Sequence, residues 1–424
     1  MKCSVCSTIV RNDYIFCPSC GSILSSSRIH EHIKPISNHE ILDKINSLSS
    51  KRDFYLRFFI VIGIFSGLFF VSFICFTFSM MLGYLRGGVA GLLVFIFASF
   101  VSLFFSVFLL FVIRQIDIYE REPWGLVIFS FFWGALGSTL LSLFVNETSS
   151  YVFGSIFGPG IGGIITTTLT APIFEEFFKL LVIPIIILFF RSNFNSPMDG
   201  LVYIFASSLG FKIVEDLLYG AKFTAQTGAI QGFILLVLLR WVMGFLVHPL
   251  MSMFSGFAVG LATITNNFVL KIIYIVLGYL LSVGAHFVWN SMAAIGNRII
   301  GDYVLCWFPA QIMILLVIFL FLYLFALNIE RNTLNSVLED DIRTGFLPRE
   351  AIEELVDPRK RVYRKRFLTP EQRRLYEIFM QELASYALLK KQATASIGSE
   401  IQKSMYEKKE ILNTIRPYIY GGEI

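Results

Sequence analysis

Long apolar stretches constrain the fold of this chain more than any other feature of its sequence. Eight of them are long enough to cross a bilayer as helices, namely 55–82, 89–113, 124–146, 162–190, 199–220, 240–264, 270–296 and 304–328. Hydrophobic residues make up 55% of the 424 residues, and Phe alone contributes 45. A soluble domain cannot bury so much apolar side chain, so we predict an all-α polytopic membrane protein with about eight transmembrane helices.

The alternative count is ten crossings, with 150–165 and 229–247 as separate spans. Gly158-Pro159-Gly160 interrupts the first of these, and the second flanks Arg240, so neither is a good crossing. Eight crossings place most Arg and Lys residues at the cytoplasmic side and leave 146–150 as an outside loop without Lys or Arg. We therefore prefer eight, in the cell membrane, with both termini in the cytoplasm.

Two C-x-x-C pairs lie near the N-terminus, at Cys3, Cys6, Cys17 and Cys20. Four thiolates at this spacing suit one tetrahedral zinc ion, and so short a segment cannot build a core without a metal. We predict a structural zinc ribbon over 1–24, followed by a polar linker over 25–53. The first fifty residues lack an apolar signal region, so we expect no cleavable signal peptide.

The residues after 328 change in character and are charged with a helical pattern. We predict a transmembrane core over 54–328 and a helical cytoplasmic tail over 329–424. Within the tail, Thr369 and Pro370 are suited to the start of a helix. The net charge of +5 is mild and forms no basic stripe, so we expect no nucleic-acid partner.

Polar side chains recur inside the apolar spans, where an ionisable group is costly and is seldom kept without a task. They are Glu175, Glu176, Glu215, His248, His286 and Asn290. The helical rise of about 1.5 Å per residue puts those of four spans at similar depth under the eight-crossing topology. We predict that they form one buried polar site.

Two local patterns add detail to this site. Lys179 lies four residues after Glu175 and three after Glu176, so it can pair with either carboxylate. Pro172 has no N–H to donate, so we expect a disturbed helix just before the glutamates. His286 and Asn290 are four residues apart on one face, where an imidazole can move a proton and an amide can donate to an oxyanion.

The order and spacing of these motifs resemble the PrsW family of intramembrane proteases, within a wider group that includes the CAAX-processing and bacteriocin-processing proteases. The matching pieces are the IDIYEREPW segment at 116–124, Glu-Glu-x-x-Lys at 175–179, Asp199-Gly200, Gly210-Phe211 to Glu215, His248, and His286-x-x-x-Asn290. They cover about residues 110–300. The resemblance implies hydrolysis of a peptide bond in a membrane-anchored protein, such as site-1 cleavage of an anti-sigma factor.

The resemblance also implies roles for individual residues. Glu175 would be the general base, assisted by His286, and Asn290 would hold the oxyanion. Glu176, Glu215 and His248 would support the water or, alternatively, ligate a metal. The wider group has been classed both as metalloproteases and as glutamate proteases, and no H-E-x-x-H pattern decides between them here.

Two other function classes remain as alternatives. An ion- or proton-coupled transporter could use the same glutamates and histidines as a relay, although the chain shows no internal inverted repeat. A non-catalytic membrane scaffold could use the ribbon and the tail. The full set of Glu, His and Asn residues favours the intramembrane endopeptidase.

Overall fold

The computed structural model describes residues 38–48, 51–242, 244, 246–395 and 399–420. Every regular element within these ranges is a helix and none is a strand, which confirms the prediction of a helical protein. The predicted zinc ribbon, with Cys3, Cys6, Cys17 and Cys20, lies outside the described residues. The first described helix, α1 (Asn38–Leu48), lies within the segment predicted as a linker.

The chain forms two compact units, and the larger one comprises Phe54–Asp117 and Arg121–Asn328. Its helices are α2 (Lys51–Leu85), α3 (Gly88–Ile116), α4 (Trp124–Phe132), α5 (Thr139–Phe157), α6 (Pro159–Ile165), α7 (Ala171–Leu180), α8 (Val182–Phe189), α9 (Pro197–Thr227), α10 (Ala229–Leu235), α11 (Val247–Ile264), α12 (Phe268–Ile300) and α13 (Val304–Arg343). Three short π-helical segments separate some of them: Trp133–Ser138, Thr166–Thr170 and Leu236–Val242.

Five helical stretches among the described residues are long and apolar enough to cross a membrane, which confirms a multi-pass membrane protein. They are Asp53–Leu85, Gly88–Ile116, Trp124–Phe157, Ala229–Ile264 and Phe268–Arg343. The last stretch contains two helices, α12 and α13. The polar residues of α7 and α9 lie in helices outside these five stretches.

The predicted loop at 146–150 is wrong, because these residues belong to α5. Polar side chains in this helix bond back to its own carbonyls: Thr148 Oγ1 donates to Phe144 O over 2.7 Å, and Ser155 Oγ to Val152 O over 2.8 Å. The helix ends at Gly158, whose φ of 83° favours glycine. The polar sequence at 146–150 therefore does not indicate a loop. The end of the helix is instead indicated by Gly158 followed by Pro159.

Glycines allow the helices around the site to approach closely, as is common in membranes. A Cβ on Gly134, in the first π-helical segment, would lie 1.7 Å from the carbonyl oxygen of Ser207 in α9. A Cβ on Gly210 would lie 1.9 Å from the carbonyl oxygen of Phe131. These contacts fix α9 directly against α4 and the π-helical segment after it.

The smaller unit comprises the described residues within Met1–Asp53, Ile118–Glu120 and Ile329–Ile424. Its further helices are α14 (Arg349–Val356), α15 (Pro358–Lys365), α16 (Pro370–Ala395) and α17 (Ser399–Tyr420). The predicted start of α16 is confirmed, since Gln372 N donates to Thr369 Oγ1 over 3.3 Å. Inside the unit, Glu354 accepts hydrogen bonds from the hydroxyls of Tyr376 and Tyr420, and burial raises the pKa of Glu354.

Gly134→Ala tests whether the close helix contact supports the core. The added methyl group would overlap the Ser207 carbonyl, so the helices must separate. Overpacking of this kind costs about 1–3 kcal/mol, and we expect the unfolding temperature in detergent, followed by tryptophan fluorescence, to fall by several degrees.

Gly63→Ala is the matched control for this substitution. A Cβ at Gly63 meets nothing within 4 Å, so only the gain in helix propensity remains. Equal unfolding temperatures for the two variants would show that the contact at Gly134 carries no packing constraint.

Candidate active site

The α7 helix carries a fully buried ion pair. Lys179 Nζ donates to Glu176 Oε1 over 2.8 Å, and the exposed fraction of both side chains is 0%. The same Nζ lies 3.0 Å from His248 Nδ1 and 4.3 Å from the centre of the Phe211 ring. Both glutamates are close enough to Lys179 in sequence to pair with it, and in the structure Lys179 pairs with Glu176.

Glu176 uses both of its carboxylate oxygens in this network. Besides Lys179, its Oε1 lies 2.9 Å from His286 Nδ1, and its Oε2 accepts a hydrogen bond from Ser252 Oγ over 2.6 Å. A carboxylate that already receives three donors is poorly placed to take up a further proton from a substrate or a water. Glu176 is thus suited to orienting His286 and neutralising Lys179.

Glu175 has a free oxygen at the centre of the site. Its Oε1 accepts from Asn146 Nδ2 over 3.1 Å, whereas its Oε2 is buried and has no hydrogen-bond partner among the described residues. That Oε2 lies 3.7 Å from His286 Nε2, too far for a hydrogen bond.

The hydrogen bonds assign the tautomer of His286. Because Nδ1 donates its hydrogen to Glu176, the Nε2 atom of the neutral ring is an acceptor. With a neutral His286 and an ionised Glu175, two acceptors, Glu175 Oε2 and His286 Nε2, face one another 3.7 Å apart. Such a pair attracts either a water molecule that donates to both atoms or a cation.

His248 is held at both ring nitrogens. An ammonium group can only donate, so Nδ1 accepts from Lys179, and Nε2 carries the hydrogen that it donates to Glu215 Oε2 over 2.6 Å. His248 lies in the first turn of α11, before Pro249. Proline is tolerated there because the N–H groups of a first turn have no helical acceptor.

Glu215 belongs to a cluster of four charged side chains. Arg240 Nη2 donates to Glu215 Oε2, and Arg240 Nε donates to Asp216 Oδ1 over 2.6 Å. Lys212 Nζ donates to Asp216 Oδ2 over 2.5 Å. Two cations thus balance two carboxylates, and Arg240 reaches them from the π-helical segment Leu236–Val242.

Asn290 is placed by the disturbed helix before α7. Pro172 has no N–H, so the sequence analysis predicted a disturbed helix before the glutamates. The residues Thr166–Thr170 form a π-helix, which confirms this prediction. The carbonyl oxygen of Thr167 accepts from Asn290 Nδ2 over 3.0 Å. The amide of Asn290 keeps a second hydrogen for another acceptor.

Several of these side chains line one cavity of about 670 Å³. Glu175, Glu215, His248 and Asn290 contribute to its wall, together with Asn146 and Arg240. Water and an extended peptide segment fit a space of this size and polarity. The free oxygen of Glu175 thus belongs to a residue that a substrate can approach.

The structure brings five of the six predicted residues into one contact network: Glu175, Glu176, Glu215, His248 and His286. Asn290 lines the same cavity without joining that network. The sequence analysis missed Asn146, Ser252 and Arg240 as parts of the site. The only local signal was for Ser252, which follows His248 by four residues and shares its helix face.

Among the described residues, two groups of side chains have the composition and proximity of metal ligands. Donor atoms of Glu175, His248 and His286 all lie within 4.8 Å of one another. A second group contains Asp117, Glu122 and Asp199.

The second group has a structural explanation in the start of α9. Asp199 Oδ2 accepts from the backbone N–H groups of Asn195 and Ser196, and Asp199 Oδ1 accepts from Ser196 Oγ over 2.7 Å. Ser196 Oγ in turn accepts from the Asp199 N–H, completing a capping box. The Asp199-Gly200 motif therefore begins a helix, and the first group is the better candidate for a metal centre.

Residues 122–324, which include all six predicted site residues, match a family model described as the PrsW family intramembrane metalloprotease. The chain is 30% identical over 171 residues to a Protease PrsW of Oceanobacillus iheyensis, an alignment that covers 40% of this chain and 70% of that protein. It is 29% identical over 149 residues to a Protease PrsW of Geobacillus kaustophilus, covering 34% of this chain and 58% of that protein. No solved structure matches the chain significantly.

Proposed function

We propose that this chain, which belongs to the PrsW family of intramembrane metalloproteases and is a membrane protease, hydrolyses a peptide bond. The attacking water is activated between Glu175 and His286. The observation that carries the proposal is the pair of facing acceptors, Glu175 Oε2 and His286 Nε2, which lie 3.7 Å apart, with Glu175 in the wall of the cavity. Membership of this family favours a protease over the transporter and scaffold alternatives.

A metal ion, most simply zinc, fits these residues. The partnerless Glu175 Oε2 and the bare lone pair of His286 Nε2 are ligands of the type that zinc prefers, and Glu176 orients the histidine as a second carboxylate does in many zinc sites. His248, the third member of the group, already uses both ring nitrogens in its contacts with Lys179 and Glu215, so Glu175 and His286 are the ligands that these contacts leave open. The metal would supply a Lewis acid that polarises water or the substrate carbonyl.

Different residues of the chain then transfer the proton and stabilise the developing negative charge. In the mechanism without a metal, Glu175 Oε2 accepts the proton of the attacking water, while Asn146 holds the other oxygen of this carboxylate. His286, oriented by Glu176, assists at Nε2. Asn290 donates its remaining amide hydrogen to the oxyanion of the substrate, and Glu215 fixes the ring of His248.

The proposal extends to topology and substrate. The transmembrane core over 54–328 crosses the cell membrane eight times, with the ribbon at 1–24 and the tail at 329–424 in the cytoplasm. The substrate is a membrane-anchored protein, and an anti-sigma factor is the specific candidate implied by the resemblance to the family. The extent of the larger unit, Phe54–Asp117 and Arg121–Asn328, supports the bounds of the core.

Substitution of the two central residues tests the catalytic assignment. Removing a general base costs about 100-fold or more in rate, so Glu175→Ala and His286→Ala should each reduce kcat for cleavage of a single-span reporter protein by at least this factor. The double variant should be little worse than the worse single one, because residues that act as a unit are non-additive.

The matched control is Asp302→Asn, which removes an exposed carboxylate outside the cavity. Insertion and protein level are matched by membrane fractionation before rates are compared. Cleavage at the control rate by Glu175→Ala would sink the assignment.

Metal removal tests the metalloprotease form of the mechanism. In a variant with Ser at Cys3, Cys6, Cys17 and Cys20, any zinc left must lie elsewhere, and we expect about one ion per chain. Adding His286→Ala should abolish this zinc, as measured by elemental analysis. Chelation should stop cleavage and added zinc should restore it, whereas full activity without metal would show a glutamate-only mechanism.

Cysteine labelling tests the eight crossings. Ser150 is exposed near the end of α5 that we place outside, and Ser399 is exposed in the tail. A membrane-impermeant maleimide added to intact cells should label Ser150→Cys and leave Ser399→Cys at the background of the unsubstituted chain. Labelling of the tail variant would refute the cytoplasmic placement of the C-terminus.

A further inference from the structure

Arg240 has a specific place beside the hydrolytic site. Its side-chain hydrogen bonds in the described structure go only to Glu215 and Asp216, and its guanidinium carbon lies 4.6 Å from the centre of the Tyr219 ring. The exposed fraction of its side chain is 14%. The guanidinium is thus fixed on two edges and on one face.

Glu215 connects this arginine with the site. Its Oε2 accepts from Arg240 Nη2 and also from His248 Nε2, so one oxygen atom joins the two side chains. His248 lies only eight residues after Arg240, beyond the end of the π-helical segment. The carboxylate therefore ties the segment that carries Arg240 to the first turn of α11.

The neighbouring cation cannot replace Arg240 in this role. Lys212 Nζ donates to Asp216 and to the carbonyl oxygen of Arg240, and it makes no hydrogen bond with Glu215. A guanidinium presents several N–H groups in a rigid plane, which lets Arg240 hold two adjacent carboxylates at once. An ammonium is a point donor that fixes direction less well.

We infer that Arg240 is a positioning residue of the hydrolytic site: it fixes the carboxylate of Glu215 and, through it, the imidazole of His248. Without Arg240, the Glu215 carboxylate can rotate, and the His248 ring is held firmly only by Lys179. The inference rests on the proposed function, since it assigns Arg240 a part in the rate of peptide hydrolysis.

The test compares kcat and KM for Arg240→Gln, Glu215→Gln and the double variant, in the full chain reconstituted in liposomes. The probe is a single-span reporter protein that the unsubstituted chain cleaves. Loss of a residue that orients a ligand typically costs about 10–100-fold, and we expect this loss in kcat for Arg240→Gln, with KM within about threefold. The double variant should lie within about threefold of Glu215→Gln, because both changes remove one interaction.

Arg298→Gln is the control, because it removes an exposed cation outside the cavity. It should retain kcat within about threefold, while Arg240→Lys should fall between Arg240→Gln and the unsubstituted chain. If Arg240→Gln does not insert, Arg240→Lys and its double variant with Glu215→Gln carry the test.

Three outcomes would overturn the inference: an unchanged kcat in the Arg240 variants, additive losses in the double variant, or a raised KM with kcat retained. The last would mean that Arg240 contacts the substrate. Failure of the proposed function is a separate result, in which Glu175→Ala cleaves the reporter as fast as the unsubstituted chain.

Discussion

The site depends on the interactions of one fully buried ammonium group, that of Lys179. Lys179 has a side chain with 0% exposure, in a helix whose only other charged residues are Glu175 and Glu176. An isolated buried charge is strongly unfavourable, so its partners must be in place whenever the protein is folded. The contact of Lys179 with His248 on α11, together with the hydrogen bond from Ser252 on α11 to Glu176, therefore fixes these two helices relative to one another.

The same ion pair separates the roles of two adjacent glutamates. Glu176 points toward Lys179, Ser252 and His286, and its oxygens are occupied. Glu175 projects from an adjacent face of the same helix, toward Asn146 and the cavity. One of its oxygens has no hydrogen-bond partner among the described residues. Consecutive residues on a helix are about 100° apart, so the pair provides one fully hydrogen-bonded carboxylate and one that lines the cavity, at almost the same depth.

The general features of this arrangement could be predicted from the sequence, because they depend on composition and local spacing. Apolar length identified a helical membrane protein, and the rarity of charges in such segments identified Glu175, Glu176, Glu215, His248 and His286. The partner of Lys179 could not be predicted, because spacings of three and four residues are equally good on an isolated helix. His248 and Ser252, distant in sequence, decide it.

The missed residues show the same limitation. Asn146 was assigned to a loop because it starts a polar stretch, yet the hydroxyls in that stretch bond to the carbonyls of their own helix and extend it to Phe157. Arg240 seemed only to weaken a span, because its two carboxylate partners lie 24 and 25 residues away in α9. Local pattern identifies where a charge is costly, whereas its role depends on long-range partners.

Irregular backbone is the second requirement of such a site, because regular helices present no free carbonyls to a polar group within a membrane. Two of the three described π-helical segments contribute directly: Thr166–Thr170 provides the carbonyl that accepts from Asn290, and Leu236–Val242 carries Arg240. The third, Trp133–Ser138, places Gly134 against the Ser207 carbonyl, while Ser207 Oγ donates to the carbonyl of Lys179 over 3.1 Å. The close packing of α9 therefore also supports the backbone at the buried lysine, so the packing and the polar network stabilise the same part of the core.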